Sequence, residues 1–400
     1  MSRSGVQAFQ NERLGQMLAA RRISQVQLAS MVGVSPATVS KWRSGSQAPE
    51  HDALLRLATV VNVTAEWFTR PISPKLSLPL FRSNASAHVS AREMLEARLT
   101  WAQDIAIALS EFVDYPEVNL PIRSYTEPEQ FTDQDIEEAA SECRELWNLG
   151  SSIIQDLALA AEGAGVILVR EDTGIAQIEG LSAWSETLAR PFILLSADKD
   201  NGFRSRFDLA HEIGHLVLHR HIERSTQPER HKLLEQQAHR FAGALLLPAE
   251  SFAREVRIPP TLDDLLLLKR RWGVSAAAII MRLHALDLVD ENQKIALFKR
   301  RSARWGAKSE PGDGERTPER PRLLKRTIDL LVEEKVMPLE SVPVHLGLSE
   351  ADLEMLTSLS EGYFRGHNNV LQFARMKENA IRSDAPASHT GAVVPFKVRS

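Results

Sequence analysis

Phe207-Asp-Leu-Ala-His-Glu-Ile-Gly-His-Leu-Val-Leu-His219 is the stretch on which the reading of this chain turns. On a helix, residues four apart share a face, so His211 and His215 can direct both imidazoles at one metal ion. Glu212 lies beside them, placed to take a proton from a water on that ion, and zinc lowers the pKa of such a water to about 7. Leu209, Ile213, Leu216 and Leu218 suit a buried helix, and Gly214 lets a second backbone come close. A working zinc needs a third protein ligand and one open position. Residues 233–248 carry a second helical pattern, apolar at Ala238, Phe241, Ala242 and Leu245, and Glu235 on it can complete a His-His-Glu site.

The run Arg204 to His219, with Glu235-x-x-Ala238 and Phe241-Ala-x-x-Leu-Leu-x-Pro248, resembles the ImmA/IrrE family of zinc metallopeptidases. The resemblance spans roughly residues 133–297. It implies His211, His215 and Glu235 as zinc ligands, Glu212 as catalytic base, and a protein substrate of repressor type cleaved in stress or mobile-element regulation. One departure stands out: the family usually has Asn where this chain has His239, one turn after Glu235. His219 follows His215 by four residues; the helix drifts about 40° over that interval, which makes His219 a packing or bracing residue.

The first 70 residues hold eight Lys/Arg against four Asp/Glu, a net of +4, whereas the whole chain is −4. A basic head on an acidic body is what a DNA-binding module fused to another domain shows. The head reads as five short helices. Ser24 can cap the second (residues 25–32), and Ser35-Pro36 opens the third, which runs to Arg43. Two helices joined by a glycine-containing turn are the helix-turn-helix pattern, whose second helix enters the major groove. Gln25, Gln27, Ser35, Thr38, Ser40, Lys41 and Arg43 suit base edges and phosphates. Ser24-Gln-Val-Gln-Leu-Ala29, Gly33-Val-Ser-Pro36 and Val39-Ser-Lys-Trp42 are similar to the lambda-repressor-like (Cro/CI, XRE) domain. A single module makes a small interface, so the expected partner is double-stranded operator DNA bound by a homodimer.

Four hundred residues exceed one ordinary core. With 43% hydrophobic and 25% charged residues the chain reads as soluble and globular, and no run approaches a membrane span or a signal peptide. The single cysteine, Cys143, fits a reducing cytoplasm. Residues 71–86 read as a linker and about 90–113 as a helix that either packs on a neighbouring domain or serves dimerisation or signal relay. Residues 166–170 and 191–196 read as strands, with Ala183-Trp184 in a loop between them. An edge strand there can hold an extended peptide. Arg204 and Arg206 either pair with carboxylates, orient substrate or are solvated charges at a helix entry. Residues 265–281 look superficially like a second helix-turn-helix, but their apolar density favours a structural part of the peptidase region.

The expected architecture is multidomain: an all-α helix-turn-helix head (8–69), a linker and connecting helix (70–132), a mainly helical α+β zincin-like metallopeptidase domain (133–300), a small helical C-terminal module (320–365) and a disordered tail (366–400). The expected function is a DNA-binding transcriptional regulator fused to a zinc-dependent endopeptidase. The alternative is a non-proteolytic XRE-type regulator whose zinc site is structural or sensory.

Overall fold

The computed structural model describes residues 5–77, 89–174, 179–198, 200–223, 227–306 and 309–365. The expected tail at 366–400 and the second half of the linker lie outside them.

The head folds as α1 (Asn11–Arg21), α2 (Gln25–Val32), α3 (Pro36–Arg43), α4 (His51–Val61) and a 3-10 turn, Glu66–Thr69. Its starts follow local chemistry. Ser24 and Gln27 form a reciprocal capping box on α2, and the Ser35 hydroxyl accepts from the Thr38 N–H ahead of Pro36. Leu14, Met17, Leu28, Val39, Trp42 and Leu57 bury the inner faces.

Next come α5 (Val89–Leu109), α6 (Asp133–Leu146) and α7 (Leu157–Gly163), then β1 (Ile167–Glu171), β2 (Gly180–Ser185) and β3 (Arg190–Ser196). The sheet order is β1-β3-β2, with β1 parallel and β2 antiparallel to β3. Ala183 and Trp184 are therefore strand residues, a correction to the loop expected for them. The segment Gly-Leu-Ser-Ala-Trp-Ser is buried on both faces, so it lacks the apolar–polar alternation that marks a one-sided strand. Ile167, Val169, Phe192 and Leu194 face one core and Leu168, Ile193 and Leu195 the other.

On the second face pack α8 (Gly202–Leu218), α9 (Pro228–Leu246), α10 (Ala249–Ala253), α11 (Leu262–Trp272), α12 (Ala276–Ala285) and α13 (Glu291–Trp305). Helices α11 and α12 contribute Leu265, Trp272, Ile279 and Ile280 to that core, which agrees with a structural role. On the first face, α5 lies among α1, β3, α14 (Leu323–Glu333) and α15 (Ser341–Leu346), followed by α16 (Glu350–Leu356). The connecting helix thus packs on its neighbours: Leu99, Trp101, Ala102 and Ile105 are buried in a core shared by the head, the C-terminal helices and the sheet.

Ion pairs cross this shared core. Arg21 of α1 donates to Asp352 of α16 at 2.6 Å, and Arg98 of α5 reaches the same carboxylate at 3.1 Å. Arg13 pairs with Asp104, which also accepts from Ser73 at 2.6 Å, and Val63 bridges to Leu348. Beyond α13, carboxylates of residues 309–322 cap distant helices. Glu310 accepts from the N–H groups of Ala276 and Ala277, and Glu319 from those of Leu157 and Ala158. Arg206, buried, pairs with Glu319 at 3.3 Å and so anchors this segment, which settles it as a structural cation.

Candidate metal centre

Helices α8 and α9 face each other closely because Gly214 leaves no side chain between them; a Cβ there would meet Phe241 at 3.0 Å. This contact brings His211 and His215 of α8 to Glu235 of α9. The Nε2 atoms of the two histidines stand 3.0 Å apart. Each lies 3.5 Å from a Glu235 carboxylate oxygen. Ligand atoms around a tetrahedral zinc, at bond lengths of about 2.0–2.1 Å, are separated by about 3.3 Å. The three side chains therefore fit one zinc ion.

Hydrogen bonds on the far side fix the tautomer of His215. Gln237 donates through Nε2 to the Pro128 carbonyl at 2.6 Å, so its Oε1 accepts from His219 Nε2–H at 3.1 Å. His219 then carries no proton on Nδ1, which accepts from His215 Nδ1–H at 2.9 Å. The lone pair of His215 is left on Nε2, facing His211 and Glu235, the arrangement in which a partner orients a ligating imidazole. Burial above all, then the neighbouring His215, holds the His219 pKa well below its ordinary value, consistent with a neutral link.

Glu212 is buried, and its Oε2 has no hydrogen-bond partner. Burial pushes its carboxyl up to about 7; His215 and a hydrogen bond with Ser182 act in the opposite sense. Gly180 of β2 sits against it, where an added Cβ would lie 3.2 Å from Glu212 Cγ. At Glu235 burial raises the pKa, but the adjoining His211 and His215 rings outweigh it and hold the carboxyl well below its usual range.

Two histidines flank Glu235 on α9. His231, one turn earlier, has Nε2 4.0 Å from the Glu235 carboxylate. His239, one turn later, offers a ring nitrogen within 4.8 Å of ligand atoms of His211 and Glu235. His231 was visible only as a four-residue spacing from Glu235. Gln237 and Ser182 had no spacing signal, because they act across elements. A cleft of about 960 Å³ opens beside the centre, lined in part by Phe207, Leu233, Glu235, His239, Met281 and Phe298.

In the head, Ser40, Lys41 and Arg43 project from α3 into solvent. Ser35 is exposed, with its hydroxyl 2.9 Å from that of Thr38, so the pair is tied at the start of α3. Gln25 is half-buried at the start of α2. Gln27 is exposed but uses its amide oxygen to accept from the Ser24 N–H at 2.9 Å.

Two family models match the chain: Helix-turn-helix over residues 14–68 and IrrE N-terminal-like domain over residues 161–284. No curated protein matches it significantly. Among the described residues, no helix is long and apolar enough to cross a membrane. Within this one chain, residues 14–68 thus match an XRE-type helix-turn-helix and residues 161–284 match an ImmA/IrrE-like metallopeptidase domain.

Proposed function

We propose that this chain is a cytoplasmic DNA-binding regulator that also hydrolyses a peptide bond in a repressor-type protein, using zinc held by His211, His215 and Glu235. The observation that carries the reading is the position of Glu212. Its unpartnered carboxylate oxygen lies beside the proposed ligands and against β2, an outer strand of the sheet. A zinc bound there purely for structure has no use for such a carboxylate.

Zinc, when bound, supplies Lewis-acid polarisation of a carbonyl and acidifies a nearby water. The chain's own residues do the rest. Backbone groups alternate along a strand, and Trp184 turns its N–H and C=O away from β3 to meet Ser77, at 2.7 and 2.8 Å. The same alternation turns the backbone of Ser182 and Gly180 to the outer edge, where an extended peptide can pair. Glu212 takes the proton of the attacking water on its carboxylate and passes it to the departing amine. In the head, Ser40, Lys41 and Arg43, with Gln25, Gln27, Ser35 and Thr38 at the helix starts, make the operator contacts, and a second copy supplies the other half-site.

The test compares protein N-termini in cells carrying the wild type or Glu212→Gln, before and after DNA-damage stress. The expected result is a new N-terminus that appears only with the wild type. Its absence, with the variant still binding zinc and still controlling its operator, overturns the peptidase reading. A non-proteolytic regulator with a sensory zinc then takes its place, a reading favoured by one observation: the extra histidine, His239, beside the ligands.

A further inference from the structure

We propose that His239 is a fourth protein ligand, so that the resting zinc centre is closed by three histidines and one carboxylate and opens only when His239 leaves. This rests on the reading of His211, His215 and Glu235 as ligands.

Three observations support it. His239 stands one turn after Glu235 on the same face of α9, with its ring 4.4 Å from the His211 ring and inclined by 71°. A ring nitrogen lies within 4.8 Å of ligand atoms of both His211 and Glu235, close enough for a side-chain swing to complete a four-ligand set. The tautomer is also suitable. His239 Nδ1 is 2.7 Å from the backbone carbonyl of Glu235, which can only accept, so Nδ1 carries the proton and Nε2 the lone pair. A ring N–H given to a backbone carbonyl is the outer bond that ligating histidines make. Asn has no ring nitrogen with a lone pair and so cannot supply this ligand.

A zinc with four protein ligands is closed, whereas a catalytic one keeps an open position. His239 therefore makes peptide entry conditional: a substrate must displace the imidazole, which lies in the wall of the cleft. Displacement, rather than zinc loading, becomes the step that a regulator of this chain controls.

The experiment loads the wild type, His239→Asn and His231→Asn with cobalt(II) and records the visible ligand-field spectrum with increasing acetohydroxamate, an oxygen chelator that needs an open position. Zinc affinity is measured in parallel by competition with a chromogenic chelator, and far-UV circular dichroism checks folding. The wild-type and His231→Asn spectra should resist hydroxamate at concentrations that convert His239→Asn. Zinc should bind His239→Asn about 10- to 100-fold more weakly, the size of effect seen when a metal's supporting groups are removed. His239→Gln should behave as His239→Asn does, which keeps the test valid if one variant fails to fold. Equal sensitivity of wild type and His239→Asn overturns the proposal, as does a site opened only by His231→Asn. If no variant takes up one equivalent of either metal, the ligand reading itself falls, an outcome distinct from failure of the fourth ligand alone.

Discussion

Gln237 offers no metal-binding nitrogen, yet it decides which nitrogen of His215 carries a lone pair. Replacing it with Leu keeps the volume and removes both ends of the relay, so His219 and then His215 lose their fixed tautomers. Gln237→Leu should weaken zinc binding about 10- to 100-fold, measured by chelator competition, while Glu212→Gln should leave that affinity within a factor of a few. Equal losses in both variants would mean that the relay does not orient the ligand. His211, Glu212 and His215 were legible in the sequence because a helix converts a four-residue spacing into one face. The relay was not. It runs from α8 to α9 to the Pro128 carbonyl and depends on which way an amide points.

The opposition of α8 and α9 depends on an absent side chain. Gly214→Ala sets a Cβ 3.0 Å from Phe241 Cδ1 and 3.3 Å from Ala238 Cα, so the helices must part. The expected cost is about 1–3 kcal/mol, as for other overpacked cores, read as a lower denaturation midpoint. Zinc affinity should fall with it, because α8 carries two of the proposed ligands and α9 the third. Gly15 in α1 has nothing within 4 Å of where a Cβ would stand and no positive φ. There Ala should stabilise by about 0.5–1 kcal/mol through helix propensity alone. If both substitutions move stability in the same direction, close packing does not explain Gly214. Helix starts were equally legible at this scale: Ser24 and Ser35 each cap as their side-chain chemistry dictates. The strand β2 escaped because burial on both faces erases the period-two signal.

Across the whole molecule, the head is joined to the body by more than a tether. Asp352 accepts from Arg21 and Arg98, whose guanidinium groups also lie over the Trp101 ring, at 5.3 and 5.1 Å. Burial raises the Asp352 pKa, but the Arg21 hydrogen bond and charge, with Ser349 and Arg98, outweigh it and leave the carboxyl below its ordinary value. A lowered folded pKa stabilises the protein above the unfolded value of about 3.9 and is lost as pH falls through the folded one. Acid unfolding followed from pH 6 downward should therefore be shallower in Asp352→Asn than in wild type. Asp352→Ala, which strands two guanidinium groups, should cost about 3 kcal/mol and split one melting transition into two, seen by calorimetry. A single transition at the wild-type temperature would show that the pair does no docking. None of this was legible beforehand, since Arg21 and Asp352 are 331 residues apart and nothing in either neighbourhood names the other.

The carboxylates beyond α13 bear on how the enzyme-like half could ever be made separately. The IrrE-type match ends at residue 284, but the first turns of α7 and α12 borrow their acceptors from Glu319 and Glu310. A fragment that keeps α7 but is cut after residue 284 would expose both helix ends and strand Arg206 and Lys269, each buried beside one of those acids. The smallest autonomous piece that carries the proposed zinc site therefore extends past Glu319, and gene shuffling that cut nearer the motif would yield insoluble protein instead of a portable domain.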